Sequence, residues 1–208
     1  MENELKRYTP SEWMAARPER THLGHYVTYY DSVLPSDLCE EIKTEFDLRT
    51  DLQRERAQGG HFRFKQLDIT FNSKQEPFAR FHREAVQATL GAFKRYRDDI
   101  YYDESPRFPA RMGFENFRVN KTMNNGRDGF GNHIDVGDYA SARRFLTILY
   151  YLETNEEGGD AGFPMLGFSV KPIQGACLIF PSTWQWLHCG LKPLSNPKWI
   201  MTTFAHYV

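Results

Sequence analysis

The chain has 208 residues, of which 40% are hydrophobic and 15% aromatic, and its formal net charge at pH 7 is −1. This composition is typical of one globular domain with a sizeable core, and it excludes a wholly disordered chain. The near-zero net charge disfavours a polyanionic partner such as nucleic acid. No apolar run reaches the length of a membrane span, and the charged residues 1–6 predict no secretory signal.

The cysteine content predicts a reducing compartment. Cys39, Cys177 and Cys189 are odd in number and lack the spacing of a zinc site. Free thiols of this kind are typical of proteins kept reduced inside the cell. We therefore predict a cytoplasmic protein.

The first part of the chain is predicted to be a polar extension followed by a strand and a helix. Residues 1–25 form the extension, in which a helical turn around residues 11–14 anchors Trp13 on the body of the protein. The β-branched and aromatic residues 26–34 predict a strand. A helix is predicted to begin at Pro35-Ser36-Asp37, with the Ser36 side chain as its N-cap.

The next part is predicted to contain a loop, a strand and a long helix. Residues 49–60 are charge-dense and end in two glycines, which predicts an exposed loop. Residues 61–71 have the composition of a strand, and we interpret their basic residues as a solvated face rather than a nucleic-acid surface. Apolar residues at near-helical spacing over 76–96 predict a helix that buttresses a sheet. Prolines and a glycine mark a break near 103–113.

Beyond this break, short β-rich segments alternate with turns to the end of the chain. The predicted fold is mainly β with flanking helices, and its core is a double-stranded β-helix of the jelly-roll or cupin-like kind supported by N-terminal helices. This core covers about residues 114–206, within a single domain over 26–208. The predicted strands are 114–120, 130–136, 143–152, 161–164, 168–171, 176–180, 185–190 and 198–206.

A histidine and a carboxylate two positions apart, His133 and Asp135, are the centre of the predicted site. In an extended strand the side chains at i and i+2 point to the same face. The pair therefore supplies two-thirds of the 2-His-1-carboxylate facial triad that holds non-haem Fe(II). His188 is the candidate third ligand, because it lies far enough downstream for several strands to intervene before the chain returns.

A lysine on the last predicted strand is the candidate anion partner. Lys198 stands ten positions after His188 and shares one strand face with Ile200, Thr202 and Phe204. A lysine on the inward face of a barrel needs an anion, because an unpaired buried charge is costly. A dicarboxylate co-substrate that chelates iron at one end would supply that anion at the other.

These motifs together resemble the Fe(II)/2-oxoglutarate-dependent dioxygenases. The segments between them resemble the prolyl 4-hydroxylase-like branch of that family. Residues 144–152 are similar to its R-x-x-T-x-x-x-Y-L strand, residues 157–164 to its GG-[ED]-x-x-F-P turn, and residues 170–180 to its V-x-P-x-x-G segment and the phenylalanine that follows. One position departs from the pattern, because Thr122 stands where this branch often carries a tyrosine.

The resemblance implies cofactors and residue roles. His133, Asp135 and His188 would bind Fe(II) and form the catalytic centre. Lys198 would pair with the distal carboxylate of 2-oxoglutarate, and Tyr151 and Thr147 would line the same pocket. The implied cofactors are Fe(II), 2-oxoglutarate and O2, with ascorbate as an optional addition.

The resemblance also implies an activity, hydroxylation of a C–H bond with release of succinate and CO2. The expected substrate is a prolyl residue in a protein or peptide, with the regions 49–73 and 137–141 flanking the mouth of the barrel. Two alternatives stay open at this point. One is a hydroxylase of a free amino acid or other small molecule, and the other is a catalytically silent jelly-roll binding module.

Overall fold

The computed structural model of the protein describes residues 5–16, 26–58, 62–100 and 108–208. Within these ranges it contains thirteen strands and four α-helices, so the prediction of a mainly β fold with flanking helices is confirmed. The helices are α1 (Pro10–Ala15), α2 (Ser36–Leu48), α3 (Ile69–Asn72) and α4 (Phe78–Ile100).

The strands are short, and most of them lie in the second half of the chain. Those of the first half are β1 (Lys6–Tyr8), β2 (Thr28–Tyr30), β3 (Arg54–Gln58) and β4 (Phe62–Asp68). Those of the second half are β5 (Met112–Phe114), β6 (Arg118–Thr122), β7 (Gly129–His133), β8 (Arg144–Tyr151), β9 (Ala161–Phe163), β10 (Phe168–Val170), β11 (Cys177–Pro181), β12 (His188–Gly190) and β13 (Lys198–Tyr207).

All thirteen strands of the described ranges join one curled sheet. Its order is β1-β10-β9-β12-β7-β4-β6-β13-β8-β11-β2, with β3 paired to β4 and β5 to β13. Every pairing is antiparallel except that of β1 with β10. Most neighbours in the sheet are distant in sequence, as long-range antiparallel closure requires.

Strand β8 shows how the sheet serves two cores. Because side chains alternate between the faces of a strand, Ile148 and Tyr150 pack into the cluster that holds the buried faces of α2 and α4. Leu149 and Tyr151 point the other way, into a second cluster inside the curl. The helices thus support the sheet from outside, and the inner face is left for the site.

Several local predictions were wrong or too long. The strand predicted over 26–34, for example, covers only Thr28–Tyr30, and the one predicted over 114–120 is divided between β5 and β6. Residues 54–58, expected to lie in a loop, form β3 because they pair with residues 62–66 of β4. The strand expected to reach residue 71 ends at Asp68, whose side chain accepts a hydrogen bond from the backbone N–H of Phe71 and caps α3. Ser36 is the first residue of α2 and makes no capping bond.

The N-terminal segment is tied to the body by pairing and packing. Strand β1 extends the sheet at β10, and the Arg7 guanidinium forms an ion pair with the buried Asp160 carboxylate at 2.7 Å. The division into an extension over 1–25 and a domain over 26–208 stays a prediction, and residues 17–25 lie outside the described ranges. None of the described helices is both long and apolar enough to cross a membrane.

Trp13 is the anchor that the sequence predicts. Its side chain is 0% exposed, packs on Tyr8 and Phe168 with ring centroids 5.4 and 4.7 Å away, and donates through Nε1 to the Val27 carbonyl at 3.1 Å. The prediction of an aromatic anchor at this turn is confirmed.

We expect Trp13→Ala to lower the free energy of unfolding by about 3–5 kcal/mol, because it removes a large buried ring and leaves a cavity. Urea denaturation measures this loss. The neighbouring Met14 is the control, since its side chain is half-exposed and its change to alanine should cost little. A loss below about 1 kcal/mol in Trp13→Ala would show that the N-terminal segment is only loosely attached.

Candidate metal centre and active-site cavity

The three predicted metal ligands meet at one point of the sheet. Strands β7 and β12 are antiparallel neighbours in which His133 lies opposite His188, and Asp135 follows two residues after the end of β7. Ligand atoms of the three residues lie within 4.8 Å of one another. Asp135 Oδ1 is 3.7 Å from His133 Nε2, and Oδ2 is 3.5 Å from His188 Nε2. This donor set can hold a metal ion.

Backbone carbonyls orient both imidazoles. His133 Nδ1 lies 2.8 Å from the Gly131 carbonyl oxygen, and His188 Nδ1 lies 3.0 Å from that of Trp186. A carbonyl only accepts, so each Nδ1 carries the hydrogen and each Nε2 is left as the ligand atom. Burial lowers the pKa of His188 to about 4, which keeps its ring neutral at pH 7, the form that binds metals.

Asp135 lies outside any strand and is held by its neighbours. The Thr147 hydroxyl donates to Asp135 Oδ2 at 2.6 Å and also lies 2.9 Å from Ser182 Oγ. Arg144 Nη1 donates to the Asp135 backbone carbonyl at 3.0 Å. Carboxylate and main chain are therefore fixed separately, as the ligand of a rigid metal site requires.

Arg144 is itself positioned by a residue that the sequence did not reveal. Its Nε and Nη2 donate to the two carboxylate oxygens of Glu115 at 2.7 and 2.9 Å, and its guanidinium stacks over Phe204 with 4.0 Å to the ring centroid. Glu115 lies in the short link between β5 and β6, which both pair with β13, and no motif marks it. Its role follows only from where the sheet places that link.

A cavity of about 170 Å³ opens next to the three ligands. Eight strands contribute to its wall, so residues far apart in the chain face one space. Besides His133, Asp135 and His188, its lining includes Gln66, Asn120, Thr147, Leu149, Phe180 and Lys198.

Lys198 is a buried cation in this wall. Its side chain is 3% exposed, and no carboxylate of the described residues lies within ion-pair distance of its ammonium group. Burial lowers the pKa of Lys198 to about 8, so the group still carries its charge at pH 7. A buried charge without a partner is costly, and an anion in the cavity would relieve that cost.

Tyr151 and Thr122 lie close to this lysine. The Tyr151 hydroxyl is buried and has no hydrogen-bond partner in the described part of the chain, and the Lys198 ammonium is 5.7 Å from the centre of its ring. Thr122 lies opposite Lys198 in the β6–β13 pairing and is buried. Asn120, two residues earlier on the same face of β6, reaches the cavity wall.

Comparison with known families assigns the class of the chain. Residues 117–206 match the family model described as the 2OG-Fe(II) oxygenase superfamily. This segment is a 2OG-Fe(II) oxygenase domain. The match supports an enzyme of the 2-oxoglutarate-dependent oxygenase class, and the resemblance to that family found in the motifs is confirmed over this segment. No curated protein matches the sequence.

Solved structures of prolyl hydroxylases share the fold at low sequence identity. A viral collagen prolyl hydroxylase from Paramecium bursaria Chlorella virus-1, in complex with 2OG, superposes with a TM-score of 0.66 at 18% identity, covering 89% of this chain and 97% of that one. A Pseudomonas putida prolyl-4-hydroxylase gives 0.62 at 15% identity, with 95% and 99% covered. A Trichoplax adhaerens prolyl hydroxylase, in complex with a hypoxia inducible factor peptide fragment, gives 0.65 at 17%, with 95% and 90% covered.

These neighbours confirm the predicted jelly-roll fold, and the family implies Fe(II), 2-oxoglutarate and O2 as cofactors. The residues present fit such cofactors. Two imidazole nitrogens and a carboxylate suit Fe(II). The unpaired Lys198 ammonium and the Tyr151 hydroxyl without a partner suit the far carboxylate of a dicarboxylate.

We expect Thr147→Val to weaken metal binding about 10- to 100-fold, because Asp135 loses the hydrogen bond that orients its carboxylate. Calorimetric titration with Mn²⁺, a redox-stable substitute for Fe²⁺, measures this effect. Thr89→Val is the matched control, since Thr89 is also a buried threonine with a bonded hydroxyl, on α4. Equal affinities in the two variants would remove Thr147 from the support of the site.

Proposed function

We propose that this enzyme hydroxylates a prolyl residue in a protein or peptide and releases succinate and CO2. One observation carries the proposal, namely that the three metal-site residues and the unpaired Lys198 face the same small cavity. A dicarboxylate bound to both would span metal and ammonium. When bound, iron and 2-oxoglutarate supply the O2-dependent oxidation of a C–H bond.

Each residue has a distinct proposed role. His133, Asp135 and His188 hold Fe(II), with Asp135 kept in place by Thr147. Lys198 pairs with the distal carboxylate of 2-oxoglutarate, and the Tyr151 hydroxyl donates a second hydrogen bond to it. The apolar wall, to which Leu149 and Phe180 contribute, excludes water from the reacting centre.

A peptide substrate is favoured over a free amino acid by the surroundings of the cavity. Gln66 and Arg118 line both this cavity and an adjoining groove of about 350 Å³. That additional space exceeds what a free amino acid requires and suits an extended chain. The peptide complex of the Trichoplax enzyme supports the same choice.

Two further expectations belong to the proposal. Cys39, Cys177 and Cys189 are free thiols, which supports a reducing, cytoplasmic location. Ascorbate is proposed as an optional reductant for the iron. The binding-module alternative is disfavoured because a module without iron has no use for the triad together with Lys198.

The proposal is tested first by anaerobic titration with Fe(II) and 2-oxoglutarate. We expect the weak visible charge-transfer band of the chelated complex, and its loss in His133→Ala with the fold retained by circular dichroism. Mass spectrometry of proline-containing peptides and of free proline after aerobic turnover then identifies the substrate. A gain of one oxygen atom confined to free proline would contradict the peptide assignment. A well-folded protein without the band would favour the binding module.

We expect Lys198→Ala to raise the dissociation constant of 2-oxoglutarate at least tenfold, because it removes a charge-assisted pair worth about 1.5–3 kcal/mol. Fluorescence or calorimetric titration of the Mn²⁺-loaded protein measures the constant. Lys121→Ala is the control, since Lys121 stands on the neighbouring strand with its ammonium bonded to Asp47 at 2.7 Å. An unchanged constant in Lys198→Ala would place the anion partner elsewhere.

A further inference from the structure

The groove beside the active-site cavity, where the proposed peptide would lie, contains charged side chains that could select the peptide sequence. It lies between β3, β4, α3 and the start of β6, and its wall includes Arg54, Arg56 and Phe71. Phe71 is 73% exposed and so presents an apolar ring beside the charged residues of the wall. The groove joins the cavity at Gln66 and Arg118, which line both.

One face of the β3–β4 hairpin connects the groove to the metal site. In the pairing of the two strands, Arg54 lies opposite Gln66 and Arg56 opposite Phe64, so these side chains share a face. Phe64 stacks on Phe130 at 4.4 Å between centroids. Phe62, on the same face, packs on the His133 ring at 5.1 Å. A ligand lying along this face would extend from the candidate metal site to the two arginines.

Hydrogen bonds also link the groove to the active-site cavity. Arg56 Nε donates to Gln66 Oε1 at 3.2 Å, and Gln66 Nε2 donates to Asn120 Oδ1 at 2.9 Å. Asn120 lines the catalytic cavity. The Arg56 side chain is therefore held in the groove by a chain of contacts that ends in the active site.

The charges of the groove are not balanced. Its two carboxylates are already satisfied, because Arg49 donates to both oxygens of Asp51 at 3.0 Å, and Asp68 accepts from Phe71 N and Asn116 Nδ2 at 2.8 and 2.9 Å. In the described ranges, no carboxylate lies within ion-pair distance of Arg54 or Arg56. Two guanidinium groups thus face the groove without a counter-charge.

We propose that Arg54 and Arg56 bind an acidic side chain of the peptide substrate, and so select sequences with Asp or Glu near the hydroxylated residue. This inference rests on the proposed peptide hydroxylation. Guanidinium groups suit carboxylates because their paired N–H donors match the two oxygens. Phe71 adds an apolar contact for the peptide at the edge of the groove.

The hairpin geometry predicts the spacing of that acidic residue. Phe64 and Gln66 lie two and four residues beyond Phe62, which is roughly 7 and 13 Å along the strand at 3.3 Å per residue. Arg56 and Arg54 are opposite these positions. An extended peptide advances by a similar distance per residue, so the acidic side chain falls roughly two to four residues from the proline.

The test uses fluorescein-labelled Ala- and Gly-based peptides with one central proline and a single Glu, Gln or Lys at each flanking position. Binding to the Mn²⁺- and 2-oxoglutarate-loaded protein is followed by anisotropy. We expect Glu two to four residues from the proline to bind about tenfold tighter than Gln there, with a preference that weakens as salt is added. In the double variant Arg54→Ala/Arg56→Ala, the ratio of the affinities for the Glu and Gln peptides should fall to about one.

Lys65→Ala is the matched control. It removes one positive charge from the same hairpin, but Lys65 alternates with Phe64 and Gln66 and so lies on the opposite face. We expect its Glu-to-Gln ratio to equal that of the unchanged protein. An equal loss of preference in Lys65→Ala would overturn the site, because the effect would then come from net charge alone.

The outcomes separate this inference from the proposed function. Peptides that are hydroxylated equally well with Glu, Gln or Lys would overturn the acidic subsite while leaving peptide hydroxylation intact. Hydroxylation of free proline alone would overturn both. Tighter binding of a labelled single-stranded oligothymidine than of the Glu peptides, lost in the double arginine variant, would assign the groove to nucleic acid instead.

Discussion

The site depends on the register between β7 and β12. Their antiparallel pairing puts His133 opposite His188, and Asp135, two residues past the end of β7, brings its carboxylate to the same point. A slip of one residue in either strand would turn an imidazole to the other face of the sheet and dismantle the ligand set. The neighbouring pairings of β7 with β4 and of β12 with β9 hold this register from both sides.

A second group of residues holds Asp135, which lies outside the strands. Asp135 lies beyond the end of β7, where no ladder hydrogen bond restrains it, and its carboxylate and carbonyl are held by Thr147 and Arg144. Both of these residues belong to β8, and Glu115 fixes Arg144 in turn. The strength of buried hydrogen bonds to charged groups makes this arrangement rigid without a further strand.

The outer face of the curled sheet packs against the helices, and its inner face forms the cavity. Ile148 and Tyr150 of β8 pack toward the helices, whereas Thr147 and Leu149 of the same strand face the cavity. On the inner face the Lys198 ammonium lies in the cavity wall, and the buried Tyr151 hydroxyl has no hydrogen-bond partner among the described residues. One strand thus contributes to the core on one side and to the oxygenase site on the other.

The sequence by itself determined the three residues of the candidate metal site, the inward-facing Lys198, the β-rich second half and the Trp13 anchor. Those features depend on alternation, local composition and a recognisable motif, which act over a few residues. Only the tertiary structure decided that Thr147 bonds to Asp135, that Glu115 holds Arg144, and that residues 54–58 form a strand beside the cavity. Most of these contacts join segments far apart in the chain, and the register between strands that are distant in sequence decides which side chains meet.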